Sequence, residues 1–316
     1  MVNQRELLHS LQKLTIGSGI KVGGAQDDLH GDDGYGHASN CLVVADGVSG
    51  TKCCSGILAK ALVKHVLVEM DKLSLLASYS PLKLSDFEDA VYRAVDYARE
   101  ETIDAGRLDS TLSVLFIDHD GGQIYTYTVG DSKCVIIRDN AVFFETNSII
   151  YDFNVPAAIS TMSKVNAQKH GQVLVTSYAK GDICLCFSDG VGDNLFIDEI
   201  LSVLEESKGR SCSRISNNID KKAYDVSRSK GVAHTPFSVG AVTAIDEYVA
   251  STEKGEAREA LKERFSTLSA RTSRAAFSKE KIVKAIFYYN LGQLVSFANR
   301  QAGKRDDISL CTAIIQ

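Results

Sequence analysis

The sequence predicts an α+β fold in which helices cover antiparallel sheets, and three observations carry that expectation. Short β-rich runs follow one another through tight turns, helical patterns come in blocks, and an apolar strand closes the chain. A regular alternation of strand and helix, the mark of a parallel sheet, is not what the pattern shows.

In chain order, the apolar run Cys41–Ala45 is the first clear strand, closed by Asp46-Gly47. Residues 56–72 place Ile57, Leu58, Ala61, Leu62, His65 and Val66 near i, i+3, i+4 spacing, which predicts a helix with His65 among its packing residues. A second helix is expected over 85–101, with Ser85 as N-cap and Glu88 three residues on, ahead of Val91 and Val95. Four β-rich runs follow at 111–117, Gln123–Val129, 134–138 and Ala141–Glu145. The turn sequences His119-Asp120-Gly121-Gly122 and Asp139-Asn140 join them, so the region reads as an antiparallel meander. Residues 173–178 and 182–188 read as another strand pair around Lys180-Gly181. Helical pattern returns over 197–230, and Ile308–Ile315 is the closing strand. The expectation is one domain over 1–316, with a charged helical or mobile insert around 240–281.

Composition narrows the function. The chain of 316 residues is 44% hydrophobic and 24% charged, with a net charge of -5, and its positive residues do not gather in runs. That balance gives no footprint for nucleic acid or an anionic membrane surface. No stretch approaches the ~20 apolar residues of a membrane span. Of the 8 cysteines, Cys41, Cys134, Cys184, Cys186 and Cys311 lie inside apolar runs, the pattern of buried free thiols in a reducing compartment. Cys184 and Cys186 share a strand face but lack a second Cys/His pair at zinc spacing. Arg5 and Lys13, with Glu6 beside the single Arg, are not expected to compose a transit peptide. A cytoplasmic monomer is expected, with a mitochondrial location as the alternative.

The most informative feature is a set of aspartates at the ends of apolar runs: Asp33, Asp46, Asp131, Asp189 and Asp306. Strand ends are rigid, so such side chains can meet at one point. Carboxylates that meet repel each other, and a bound divalent cation is the usual remedy. Hard oxygen ligands suit Mg²⁺ or Mn²⁺ better than zinc.

The blocks that hold these residues are Gly31-Asp32-Asp33, Val44-Ala45-Asp46-Gly47-Val48-Ser49-Gly50, Asp109-Ser110-Thr111, Thr128-Val129-Gly130-Asp131-Ser132, Leu185-Cys186-Phe187-Ser188-Asp189-Gly190 and Asp306-Asp307-Ile308-Ser309. In this order the chain resembles the metal-dependent serine/threonine protein phosphatases, the type 2C phosphatases. Val48 after Asp46-Gly47, together with Thr235-Pro236-Phe237, is most similar to the branch that includes mitochondrial members. The resemblance implies a four-layer α-β-β-α sandwich, two antiparallel sheets flanked by helices, with a centre of two Mg²⁺ or Mn²⁺ ions at one end. It implies that Asp46 bridges the ions, that the Gly47 carbonyl joins one of them, and that Asp189 and Asp306 hold the first. Asp32 matches the acidic residue serving the second ion and Asp33 its neighbour, the two being interchangeable in register. Asp131 and Asp193 match residues that hold a third, weaker ion in some members. Asp307 is expected to act through hydrogen bonds.

The activity implied is hydrolysis of phosphoserine and phosphothreonine in a phosphoprotein by a metal-activated water. Two departures stand out. Val48 occupies the place of a His that protonates the leaving group in many members, and the phosphate-gripping arginine has no counterpart near Gly31. Lys52 is the basic candidate for the substrate phosphate. These departures motivate an alternative, a catalytically silent member acting as a phosphoprotein-binding scaffold. A nuclease-like phosphoesterase fits the acidic balance poorly.

Overall fold

The computed structural model describes residues 20–27, 31–48, 55–162, 170–229, 234–253 and 303–316. Among the described residues fourteen strands run in chain order: β1 (Ile20–Asp27), β2 (Gly34–Ala38), β3 (Cys41–Ala45), β4 (Asp109–Ser110), β5 (Leu112–Asp118), β6 (Gln123–Val129), β7 (Lys133–Arg138), β8 (Ala141–Glu145), β9 (Ile150–Asp152), β10 (Val155–Pro156), β11 (Ile159–Ser160), β12 (Gln172–Ser177), β13 (Ile183–Phe187) and β14 (Ile308–Ile315). The described helices are α1 (Ser55–Ala77), α2 (Leu84–Thr102), α3 (Asp189–Gly192), α4 (Ile197–Glu206), α5 (Cys212–Arg228) and α6 (Pro236–Glu253). The strands form two five-stranded antiparallel sheets, ordered β1-β14-β13-β7-β8 and β12-β6-β5-β3-β2, with two short pairs, β10-β9 and β11-β4.

Alternation along the strands explains why they read as near-continuous apolar runs. On β3, Val43 packs with the α1 and α2 side chains Leu62, Val66, Phe87 and Val91, while Leu42 and Val44 turn to the other face. There they meet Cys134, Ile136, Cys184, Cys186 and Cys311 of the second sheet. The opposite face of that sheet, with Val135, Leu185 and Leu310, packs on Ile200, Leu204, Ile215 and Ile219 of α4 and α5. Both faces of each central strand are therefore buried, so polar alternation is lost.

Several expectations are corrected. The four runs between 111 and 145 do not make one meander: β5 and β6 pair in one sheet, β7 and β8 in the other. Gly130, at φ +97°, lets the chain leave one sheet for the other. The strands either side of Lys180-Gly181 are likewise not partners. β12 pairs with β6, and β13 lies between β7 and β14. Helix α1 runs on to Ala77. Helix α2 starts after Lys83, whose N–H donates to the Asp86 carboxylate at 2.8 Å, so the cap lies two residues before Ser85. His65 packs its ring 5.8 Å from that of Tyr97, and its Nε2 also lies 2.6 Å from Glu101. Strand β1 has no counterpart in the sequence reading.

The chain divides into two compact units, 1–227 with 305–316, and 228–304. In the second, α6 opens on a reciprocal cap. The Thr235 N–H donates to Ser238 Oγ at 2.9 Å, and the Ser238 N–H to Thr235 Oγ1 at 3.3 Å. Residues 254–281 of the expected insert lie outside the described residues.

One buried ion pair secures the turn from β12 to β13. Arg138 grips Asp182 through both oxygens, at 2.8 and 2.7 Å, and the Ala179 N–H adds a third bond at 2.7 Å. Asp182 is fully buried. Asp182→Ala strands that N–H and unpairs the guanidinium, and is expected to cost about 2–4 kcal/mol in urea unfolding.

Candidate active site

The sheets bring the carboxylates together through strand register. Antiparallel pairing of Gly34 with Ala45 sets Asp33, just before β2, beside Asp46, just after β3. Phe187 pairs with Leu310, which puts Asp189 and the Asp306-Asp307 pair at the same end of the second sheet. Asp131 sits in the crossover from β6 to β7. Asp46, Asp131 and Asp189 each place one carboxylate oxygen within 4.8 Å of the other two. Among the described residues no such group includes Asp306, although its charge acts on Asp46.

Electrostatics record the crowding. The Asp46 carboxyl is pushed well above the usual carboxylate range, by burial first and then by the charges of Asp33, Asp189, Asp306 and Asp131. Asp33 is raised likewise, by burial first and then by the charges of Asp189 and Asp307, while the neighbouring Ser188 and Ser309 hydroxyls oppose the shift. Like charges at this spacing, on hard oxygen donors, fit a divalent cation such as Mg²⁺ or Mn²⁺.

Backbone and hydroxyl contacts fix the loop that carries Asp46. Its N–H donates to Thr111 Oγ1 at 3.0 Å, and its carbonyl accepts from the Thr111 N–H at 2.8 Å and from Ser110 Oγ at 2.9 Å. Thr111 Oγ1 in turn shares a hydrogen bond with Ser132 Oγ at 2.8 Å, tying this loop to the crossover that holds Asp131. The Gly47 N–H donates to the Asp32 carbonyl at 3.1 Å, and a Cβ at Gly47 would lie 2.6 Å from that oxygen. Only glycine permits so close an approach.

The two adjacent acids, equivalent in the sequence, have different places. Asp33 is buried against the cluster. The Asp32 Oδ1 accepts from the Gly56 N–H at 3.1 Å, at the start of α1, and its own N–H donates to Asp307 Oδ2 at 2.7 Å. Asp307 thus has the hydrogen-bonding place expected of it. Asp193 ends the short helix α3, its N–H on the Asp189 carbonyl at 2.7 Å. Lys52 lies outside the described residues.

Sequence reasoning passed over the hydroxyls of Thr111, Ser132, Ser188 and Ser309, although each stands one or two residues from an acid in the quoted blocks. Thr111→Val removes the acceptor for the Asp46 N–H while keeping shape. Mn²⁺ affinity should fall about 10-fold or more in a calorimetric titration, as when other outer-shell partners of metal ligands are lost.

The family model described as Protein phosphatase 2C matches residues 18–222. "Probable protein phosphatase 2C 62" of Arabidopsis thaliana is 28% identical over 201 residues, which is 63% of this chain and 26% of that protein. The chain therefore spans about a quarter of that relative's length. Two solved structures share the fold: the photosystem II phosphatase PBCP, at TM-score 0.61 and 19% identity, covers 94% of this chain and 99% of its own. The catalytic domain of the serine/threonine phosphatase PstP, in complex with two manganese ions, has TM-score 0.52 and 13% identity, covering 93% of this chain and 97% of its own. With the match spanning most of the chain and the acidic blocks inside it gathered at one end of the sheets, this chain belongs to the protein phosphatase 2C family.

Proposed function

We propose that this chain is a Mg²⁺- or Mn²⁺-dependent phosphatase that hydrolyses phosphoserine and phosphothreonine monoesters in proteins. The observation that carries the reading is the meeting of Asp46, Asp131 and Asp189 at one point, beside buried Asp33. On this reading Asp46, Asp189 and Asp306 hold one cation, and Asp46 with the Gly47 carbonyl and Asp33 serves a second. Asp32 is interchangeable with Asp33 in that role, and it also holds the start of α1 and the Asp307 side chain in place. Asp131, with Asp193, serves a third, weaker position. Cations there would acidify a water and offset charge on the phosphoryl oxygens. The chain's own part is preorganisation: Thr111, Ser110 and Ser132 hold Asp46, and the Ser188–Ser309 hydrogen bonds tie together the segments that carry Asp189 and Asp306, before any substrate arrives. Val48 has no proton to give, so leaving-group protonation falls to a group other than this side chain.

The three apolar clusters support a four-layer α-β-β-α order, and the single body of 1–227 with 305–316 supports one phosphatase domain with 228–304 as its insert. Among the described residues no helix is long and apolar enough to cross a membrane. Buried thiols such as Cys134 and Cys186, with sulfurs 3.7 Å apart, support a reducing compartment, cytoplasmic or mitochondrial. We take the protein to act as a monomer.

The test is phosphate release from a phosphoserine peptide with Mn²⁺ present and after EDTA. Turnover that EDTA stops is the expected result. Folded protein that binds Mn²⁺ and phosphopeptide without turnover would instead be a binding scaffold.

A further inference from the structure

A cleft of about 560 Å³ opens beside the carboxylate cluster. Val48 forms part of its wall, two residues beyond Asp46, and the Val48 N–H donates to the Asp109 carbonyl at 2.9 Å. Across from Val48 the wall comes from 151–162, the segment of short strands after β8, and from His170. The cleft thus shares its edge with the candidate active site through one backbone loop.

Tyr151, Val155 and Met162 are 58%, 48% and 65% exposed, and all three line this one cleft. Apolar side chains gathered at a concave surface mark a binding site more often than scattered ones do. Tyr151 is held in place, its hydroxyl 2.8 Å from His170 Nδ1 and its ring edge-on to the imidazole. The rim charges are already matched: Arg107 Nε lies 3.0 Å from Asp109 Oδ2. What the cleft offers a ligand therefore includes three exposed apolar side chains, Tyr151 held in place among them, alongside polar groups whose charges are already matched.

We infer that this cleft receives an apolar side chain of the substrate peptide, at a position next to or two from the phosphorylated residue. Successive residues of an extended peptide advance about 3.3–3.6 Å, so a phosphate at Asp46 leaves a near neighbour at the wall beyond Val48. The inference rests on the phosphatase reading above and adds to it a substrate class, phosphopeptides with an apolar flanking residue.

Two phosphoserine peptides, one with leucine and one with glutamate flanking the phosphoserine on both sides, separate the possibilities. p-Nitrophenyl phosphate, which has no peptide to bind, serves as the reference substrate. Wild-type protein should prefer the leucine peptide in kcat/KM by about 10-fold or more. Tyr151→Ala and Met162→Ala should each erase most of that preference while p-nitrophenyl phosphate turnover stays within about twofold. The retained reference turnover shows that the variants fold and keep their centre. Equal use of the two peptides by wild type, or variants that keep the preference, overturns the cleft's role and leaves the phosphatase reading intact. No Mn²⁺-dependent turnover of any of the three substrates by wild type overturns that reading and the cleft's role with it.

Discussion

Asp46→Asn should abolish turnover and, in the absence of metal, make the protein more stable. Loss of one preorganised charge at the reacting centre costs about 10²–10³-fold, and a shared ligand should cost at least that. The stability gain follows from the crowding. Asp46 is raised above its unfolded range by burial and by Asp33, Asp189, Asp306 and Asp131, so keeping it ionised at neutral pH opposes folding. Each unit of displacement corresponds to about 1.4 kcal/mol, and the neutral amide relieves it. The sign can be checked against pH. At about pH 2, well below the ordinary carboxylate range, the carboxyl is protonated in both states, and the two proteins should melt alike. As pH rises through the folded value, metal-free wild type should lose stability relative to the variant. Melting curves in EDTA across that range measure it directly, and excess Mn²⁺ should reverse the order at neutral pH.

Gly190→Ala is expected to damage both fold and site. A Cβ at 190 would stand 2.0 Å from the Asp307 carbonyl oxygen and 2.9 Å from its carbon, both main-chain atoms. Neither side yields cheaply. The Ser188 N–H is bonded to the Ser309 carbonyl at 3.0 Å, and the Ser309 N–H to Ser188 Oγ at 3.1 Å. The contact can be relieved only by moving the start of β14, with Asp306, or the start of α3, with Asp189. Overpacking of this kind costs about 1–3 kcal/mol, and a displacement near 1 Å costs about 10²-fold in rate. Gly192→Ala is the control. Its Cβ would meet only the Phe187 ring, at 3.5 Å, an ordinary contact. Thermal melts and phosphate release on the two variants separate a local clash from a general intolerance of alanine in α3.

Where the sequence was legible, local pattern and tertiary structure agree. The strands Cys41–Ala45, Gln123–Val129, Ala141–Glu145 and Ile308–Ile315 stand where their apolar runs put them. Strand partnership was not legible, because a turn such as Gly130-Asp131-Ser132 suits a hairpin and a crossover equally well. Only long-range packing of β6 and β7 in separate sheets decides between them. The same limit hid the roles of Asp32 and Asp33. Two adjacent acids are equivalent on paper, and the pairing of Gly34 with Ala45 turns one inward and leaves the other at the start of α1. The helix start at Lys83 was missed because lysine is a poor cap by type, and the bond that matters comes from Asp86 back to the main chain.

All of this depends on negatively charged groups from distant parts of the chain gripping a hard cation. Anomalous diffraction from crystals grown with Mn²⁺ tests that most directly. The expected result is a peak about 2 Å from carboxylate oxygens of Asp46 and Asp189. A difference map with no peak among Asp46, Asp131 and Asp189, at a Mn²⁺ concentration that supports turnover, would contradict it.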